Sequence, residues 1–171
     1  MGAKALDIRG PVSGTTAYCN GELVGRNVTI KLPPITHVLA TIMTGLGEQE
    51  IPLLSMVESM EASITKVGYD LGLAKCIKLE SMNFEFRWVQ QVTKLNGEIA
   101  NGGCRAYIRG IPKELPDTEV TVGENIELDL GIAVTRYQLF VENVEYLLVD
   151  KLAPKCVLAG VDYSERINSL L

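Results

Sequence analysis

LESMNFEFRWVQQVTKLNGEIANGGCRAYIRGI, residues 79–111, carries the strongest two-residue period in the chain. Met82, Phe84, Phe86 and Trp88 alternate with Asn83, Glu85 and Arg87. Such alternation places the two sets on opposite faces of a strand. Asn96-Gly97 and Gly102-Gly103 supply the permissive residues of a reversing connection. Residues 104–111 then read as the returning strand. The stretch is a long antiparallel hairpin whose apolar face packs on a core and whose polar face meets water.

The same period recurs on both sides of it. Ile126, Leu128, Leu130, Ile132 and Val134 alternate with Glu127, Asp129, Gly131, Ala133 and Thr135, and residues 137–150 continue in β-rich style. Upstream, Asn20-Gly21 marks a turn inside a hairpin over residues 18–32. Residues 1–17, with Gly10, Pro11 and Gly14, read as an N-terminal arm or loop. Pro33-Pro34 opens a long stretch, residues 33–55, that is apolar but has no clean period of 2 or 3.6. Connections inside compact domains commonly take about 4–6 residues, so an apolar loop of this length is expected to pack against another chain. Residues 56–65 read as a strand. Residues 66–77 are the best helix candidate, with Thr65 as its cap. Pro112 and Pro116 bracket a polar crossing. The sum is one mainly antiparallel β domain over residues 1–171, about eight strands in a sandwich or barrel-like arrangement, with one short helix and long interaction loops.

Composition narrows the function. The chain has 171 residues, 47% hydrophobic and 22% charged, ordinary for a globular domain with a real core. No apolar run approaches the roughly 18 residues of a membrane helix, and the first ten residues lack the apolar core of a signal peptide, so no membrane insertion is expected. Cys19, Cys76, Cys104 and Cys156 lack CxxC spacing and read as buried thiols of a reducing compartment. The net charge of −5 is unevenly spread: residues 114–150 hold nine carboxylates against the single Arg136. A blanket grip on nucleic acid is disfavoured, because phosphate binding needs clustered Lys and Arg.

No chemistry stands out. The one histidine, His37, has no Cys or carboxylate at ligand spacing and reads as structural or interfacial. Gly45-Leu46-Gly47 lacks the rest of a phosphate loop, and neither GxSxG nor HExxH occurs. Glu127 and Asp129 share a strand face, but a glycosidase pair needs a cleft with stacking groups. Arg105 and Arg109 on one strand face read as a solvated face or an intersubunit ion pair. No cofactor, metal site or catalytic residue is expected.

The linear order is more informative. KLPPI (residues 31–35) leads to the apolar glycine-containing loop. A strand with SME (residues 59–61) follows, then a hairpin ending RGIPKE (residues 109–114), the strand IELDLGIAVTRYQL (residues 126–139) and the end GVDYSERINSLL. Over nearly the whole chain this resembles the major tail tube proteins of contractile-tailed bacteriophages and of phage-tail-like bacteriocins. Residues 66–77 depart from the longer, more aromatic helix usual in that family. The resemblance implies hexameric rings, each subunit giving strands to a shared barrel, stacked into a tube around a channel for the passage of DNA as cargo, or of an effector or ions. It implies a virion tail, assembled in the host bacterial cytoplasm, with a sheath protein, a baseplate or tube initiator and a tape-measure protein as partners. Under that reading Glu127 and Asp129, then Glu61 and Glu85, are candidates to line the lumen, where negative charge keeps a phosphate backbone from sticking. Leu39, Ile42, Met43, Leu46, Ile51, Leu53 and Leu54 are candidate inter-ring contacts.

Two other classes make different predictions. A monomeric β-barrel that binds a ligand or carbohydrate stays monodisperse and carries an internal pocket. A carbohydrate hydrolase has paired carboxylates in a cleft. A secretion-system tube shares the architecture, but the proline-bounded strand and the C-terminal pattern favour the phage-type tube.

Overall fold

The computed structural model describes residues 7–171. Twelve strands and two short helices follow one another in it. The strands are β1 (Ile8–Cys19), β2 (Glu22–Arg26), β3 (Thr29–Lys31), β4 (His37–Thr44), β5 (Gly47–Val57), β6 (Met60–Val67), β7 (Met82–Thr93), β8 (Ile99–Glu114), β9 (Glu127–Val141), β10 (Val144–Asp150), β11 (Lys155–Leu158) and β12 (Val161–Asp162). Helix α1 is Leu71–Ala74 and helix α2 is Glu165–Asn168.

Every strand pair is antiparallel, and ten strands form one sheet in the order β12-β11-β10-β9-β8-β7-β1-β2. Strand β6 pairs with the first half of β9, from Val67↔Glu127 to Met60↔Val134, and β3 pairs with β6. The second half of β9 pairs with β10 instead. Strand β9 therefore divides the sheet into a main curve and a branch. The branch and the β2 end of the main curve approach without strand pairing. Lys66 Nζ reaches across to donate to the Val24 carbonyl at 2.7 Å, and α1 fills the gap, its Lys75 paired with Glu22 at 2.6 Å. The result is a mainly β, barrel-like sandwich.

Alternation explains the core. Met82, Phe84 and Phe86 of β7, Ala106 and Ile108 of β8, Met60, Ala62 and Ile64 of β6, and Leu128, Leu130, Ile132 and Val134 of β9 are all buried in one cluster. In β9 the buried phase moves from even positions to Tyr137 and Leu139. A bulge causes this. Val134 pairs with Gly110 and Arg136 with Arg109, leaving Thr135 as the extra residue. Its hydroxyl donates to the Arg109 carbonyl at 3.1 Å, and its own carbonyl accepts from Lys151 N at 3.0 Å.

Several sequence expectations are corrected. Residues 8–17 are not an arm but most of β1, paired with β7. Irregular register after Arg9 and again after Val12 absorbs the Gly-Pro and Ser positions that read as a loop. Residues 1–6 of the expected arm lie outside the described residues. The long apolar stretch is regular too: β4 and β5 form a separate two-stranded sheet. Thr65 caps no helix. It lies in β6 opposite Thr29, and the helix is one turn capped by Asp70, whose Oδ1 accepts from Leu73 N at 3.1 Å. Gly102-Gly103 is not the turn but sits within β8, the reversal being made around Gly97 at φ 84°. Pro112 lies inside β8 as well, next to a register irregularity at Lys113.

Two measurements check this account. A Cβ at Gly110 would collide with the Ala133 carbonyl and lie 2.7 Å from Ile132 Cγ2, whereas one at Gly103 meets nothing within 4 Å. Gly110→Ala is expected to lower the unfolding free energy in urea by about 1–3 kcal/mol, as overpacking does, and Gly103→Ala to leave it nearly unchanged. Asp70→Ala is expected to cost about 1 kcal/mol at neutral pH through the lost cap. The Lys66 ammonium, hydrogen-bonded to Asp70, is the main reason its carboxyl lies below the usual range, with the Leu73 N–H adding to it. Stability from that carboxylate is present above its unfolded-state pKa and is lost as pH falls through the folded one, so the gap between variant and wild type closes in acid.

Candidate functional site

The candidate surfaces lie on the outside of the sheet, where the other half of each alternation points. Three outward surfaces differ in chemistry.

The first is the β4–β5 hairpin. Its strands pair only with each other, from Thr44↔Gly47 to Leu39↔Pro52 and again at His37↔Val57, and Gly45 and Leu46 form the tip. Alternation puts Ala40, Ile42 and Ile51 on one side of this ribbon and Leu39, Met43 and Pro52 on the other. Leu39, Ile42, Met43, Leu46, Ile51, Leu53, Leu54 and Met56 are all exposed, Met43 at 75% and Leu46 completely. A two-stranded ribbon on its own is marginal in water, and this one has apolar side chains on both sides. At its root His37 is half-buried with Nδ1 unpartnered among the described residues.

The second surface is acidic. Register places Glu127 opposite Val67, Asp129 opposite Thr65, and Glu61 opposite Ala133 on the outward face of the β6–β9 branch. Thr65 Oγ1 donates to Asp129 Oδ1, and Lys113 pairs with Glu61. The structure thus brings together three of the four carboxylates singled out in the sequence. Glu85 is not among them: it lies on β7, opposite Tyr18 and Tyr107.

Glu85 instead belongs to the third surface, the outward face of β7, β8 and the second half of β9. There Arg87 lies directly opposite Arg105, and Arg109 directly opposite Arg136. A groove of about 510 Å³ lies at the second pair, lined by Glu85, Tyr107, Arg109, Arg136, Gln138 and Phe140 among others, and Arg105 lines an adjacent groove that shares Phe140 with it. Glu85 takes a hydrogen bond from Arg87 Nε at 2.6 Å, which raises the guanidinium pKa, while Arg87 stacks 4.8 Å over the Tyr18 ring. Asp150 sits 3.8 Å from Arg136, and Asn83 accepts from Arg109 at 3.2 Å. Sequence reading found Arg105 and Arg109 as a pair but missed Arg136. No local signal gives it, because the Thr135 bulge decides which residue faces Arg109.

The four cysteines are buried and free. Burial raises the thiol pKa of Cys104 and Cys156, and the hydrogen bond with Cys19 raises that of Cys76. Among the described residues no group of three or more His, Cys, Asp or Glu is placed to hold a metal ion, and no helix is long and apolar enough to cross a membrane.

These three outward faces, one apolar, one acidic and one arginine-rich, are the chemically distinct surfaces of the chain. A family model, that of phage tail tube protein FII, matches residues 11–171. The chain belongs to the phage tail tube proteins, a structural family, which makes it a self-assembling component of the virion tail. No curated protein matches the chain significantly.

Because Glu61 and Glu127 are exposed, Glu61→Gln and Glu127→Gln are expected to shift unfolding in urea by less than about 0.5 kcal/mol each. The thiols are expected to react with an aromatic disulfide reagent only after unfolding, read by absorbance with and without denaturant.

Proposed function

We propose that this chain is the repeating subunit of the inner tube of a contractile tail, forming hexameric rings that stack around a channel. The observation that carries the reading is the β4–β5 ribbon. It presents Leu39, Ile42, Met43, Leu46, Ile51, Leu53 and Leu54 to solvent beside a barrel whose own core is complete. Exposed apolar surface of this extent marks an interface, and a neighbouring ring is the partner we assign to it. A barrel continued from subunit to subunit also leaves no open sheet edges within a ring.

The acidic branch face is the surface we assign to the lumen, with Glu127, Asp129 and Glu61 on it. Like charge between wall and phosphate lets DNA slide without sticking. Glu85, which is paired with Arg87 and lines the groove on the β7–β8–β9 face, is left out of that assignment. The sheath protein, a tube initiator at the baseplate and a tape-measure protein are the partners that a tube of this kind takes. A phage tube and a bacteriocin tube share this reading and differ in cargo.

Negative-stain microscopy of concentrated protein tests it: stacked rings or tubes are expected, and a chain that stays monomeric at every concentration, with and without an initiator complex, overturns it. Met43→Asp with Leu46→Asp is expected to leave the monomer folded by circular dichroism and to abolish stacking. Glu127→Lys with Asp129→Lys is expected to preserve tubes and to impede DNA passage. Loss of the tubes themselves would place those carboxylates at an interface.

A further inference from the structure

The arginine groove carries an electrostatic conflict that the isolated chain does not resolve. Like charges directly opposite across a strand pair are destabilising, and here two such pairs stand side by side, Arg87 with Arg105 and Arg109 with Arg136. Glu85 and Asp150 neutralise Arg87 and Arg136 in part. Arg105 and Arg109 are exposed and have no carboxylate within ion-pair distance among the described residues. Between the charges lies an apolar floor, Tyr107 edge-on to Phe140 with ring centres 5.8 Å apart. The groove asks for an anionic partner with apolar side chains.

The same chain carries such a segment. Residues 115–126 join β8 to β9 and include Asp117, Glu119 and Glu124 with no basic residue. None of the three carboxylates is in an ion pair among the described residues. Val120 is 74% exposed and Val122 fully exposed. Two hydrogen bonds tie the loop to the β6–α1 connection, Tyr69 with Thr118 at 2.7 Å and the Gly68 N–H to the Ile126 carbonyl at 2.8 Å. A segment that leaves β8 at Glu114 is separated along the strand from a groove centred on positions 105–109 of that strand.

We propose that the acidic loop of one subunit docks across the arginine groove of the next and the groove beside it, Asp117 and Glu119 meeting Arg109 and Arg105 while Val120 or Val122 covers the Tyr107–Phe140 floor between them. The contact uses two different patches, so it is head-to-tail and propagates from copy to copy; it closes when the rotation between copies makes a ring. The inference rests on the tube reading for its geometry, but the pairing of loop with groove is measurable apart from tube growth.

Charge reversal on each side tests it. Arg105→Glu with Arg109→Glu reverses the groove, and Asp117→Lys with Glu119→Lys reverses the loop. Each variant alone is expected to lose self-association, raising the assembly threshold on the order of tenfold or more at low salt. Mixed in equal amounts they are expected to assemble again, because each variant's loop then matches the other's groove. Sedimentation of the mixture reads the pairing even where tubes do not form, and circular dichroism checks that the exposed substitutions leave the fold intact. Neutral Arg105→Gln with Arg109→Gln repeats the loss without introducing carboxylates. Variants that assemble alone while wild type also assembles overturn the docking and leave the tube reading standing. A mixture that fails to associate overturns it too, as does a wild-type monomer that retains a short DNA duplex through Arg105 and Arg109 in a gel shift, which would give the groove to phosphate.

Discussion

The register between β8 and β9 is the contact on which the rest of the barrel depends. Strand β8 keeps alternate side chains buried from Gly102 to Pro112, and β9 meets that row of buried positions along both of its halves. The match survives only because Thr135 is left out of the pairing. Without that extra residue, every side chain beyond it would turn to the opposite face, exposing Tyr137 and burying Arg136. The same bulge allows β9 to take β6 as neighbour on its first half and β10 on its second, which is how one sheet gains its branch and folds over into a barrel-like sandwich. Gly110 sits opposite this point because no side chain fits between it and Ala133.

What was legible in the sequence was the part governed by local alternation. Met82, Phe84 and Phe86 in β7 and Leu128 to Val134 in β9 point inward as their spacing requires, and Asn20-Gly21 makes the turn its residues favour, at φ 49° and 83°. What was not legible depends on partners distant in the chain. Gly10, Pro11 and Ser13 look like loop residues, yet β7 holds them in a strand by skipping register twice. The turn at Glu142-Asn143 takes positive φ at both positions with a glutamate where a glycine or asparagine is usual. The β4–β5 ribbon has no period because neither of its sides faces a core of its own.

The candidate surfaces divide the same way. That Glu127 and Asp129 share a face follows from spacing alone; that Glu61 joins them and Glu85 does not follows from pairing across more than sixty positions, as in Met60↔Val134. The outcome is a molecule with a carboxylate-rich outside on the β6–β9 branch and an arginine-rich outside on β7–β8–β9. Membership of the tail tube family gives such polarity a use, since a subunit that repeats must distinguish one of its sides from another.

Under the inter-ring role proposed for it, the β4–β5 ribbon also bears on how growth begins. Its backbone is already paired in the single chain, so an incoming subunit does not have to order a strand before it binds, and the conformational entropy of that step is spent in folding. The apolar side chains it carries are, for the same reason, displayed continuously from the moment folding ends. A freshly made subunit is therefore adhesive, and the fraction associated rises with its concentration. Such a subunit favours rapid addition to an existing end over long residence in solution, and a cell that stores it must keep free subunits scarce or provide ends for them to join.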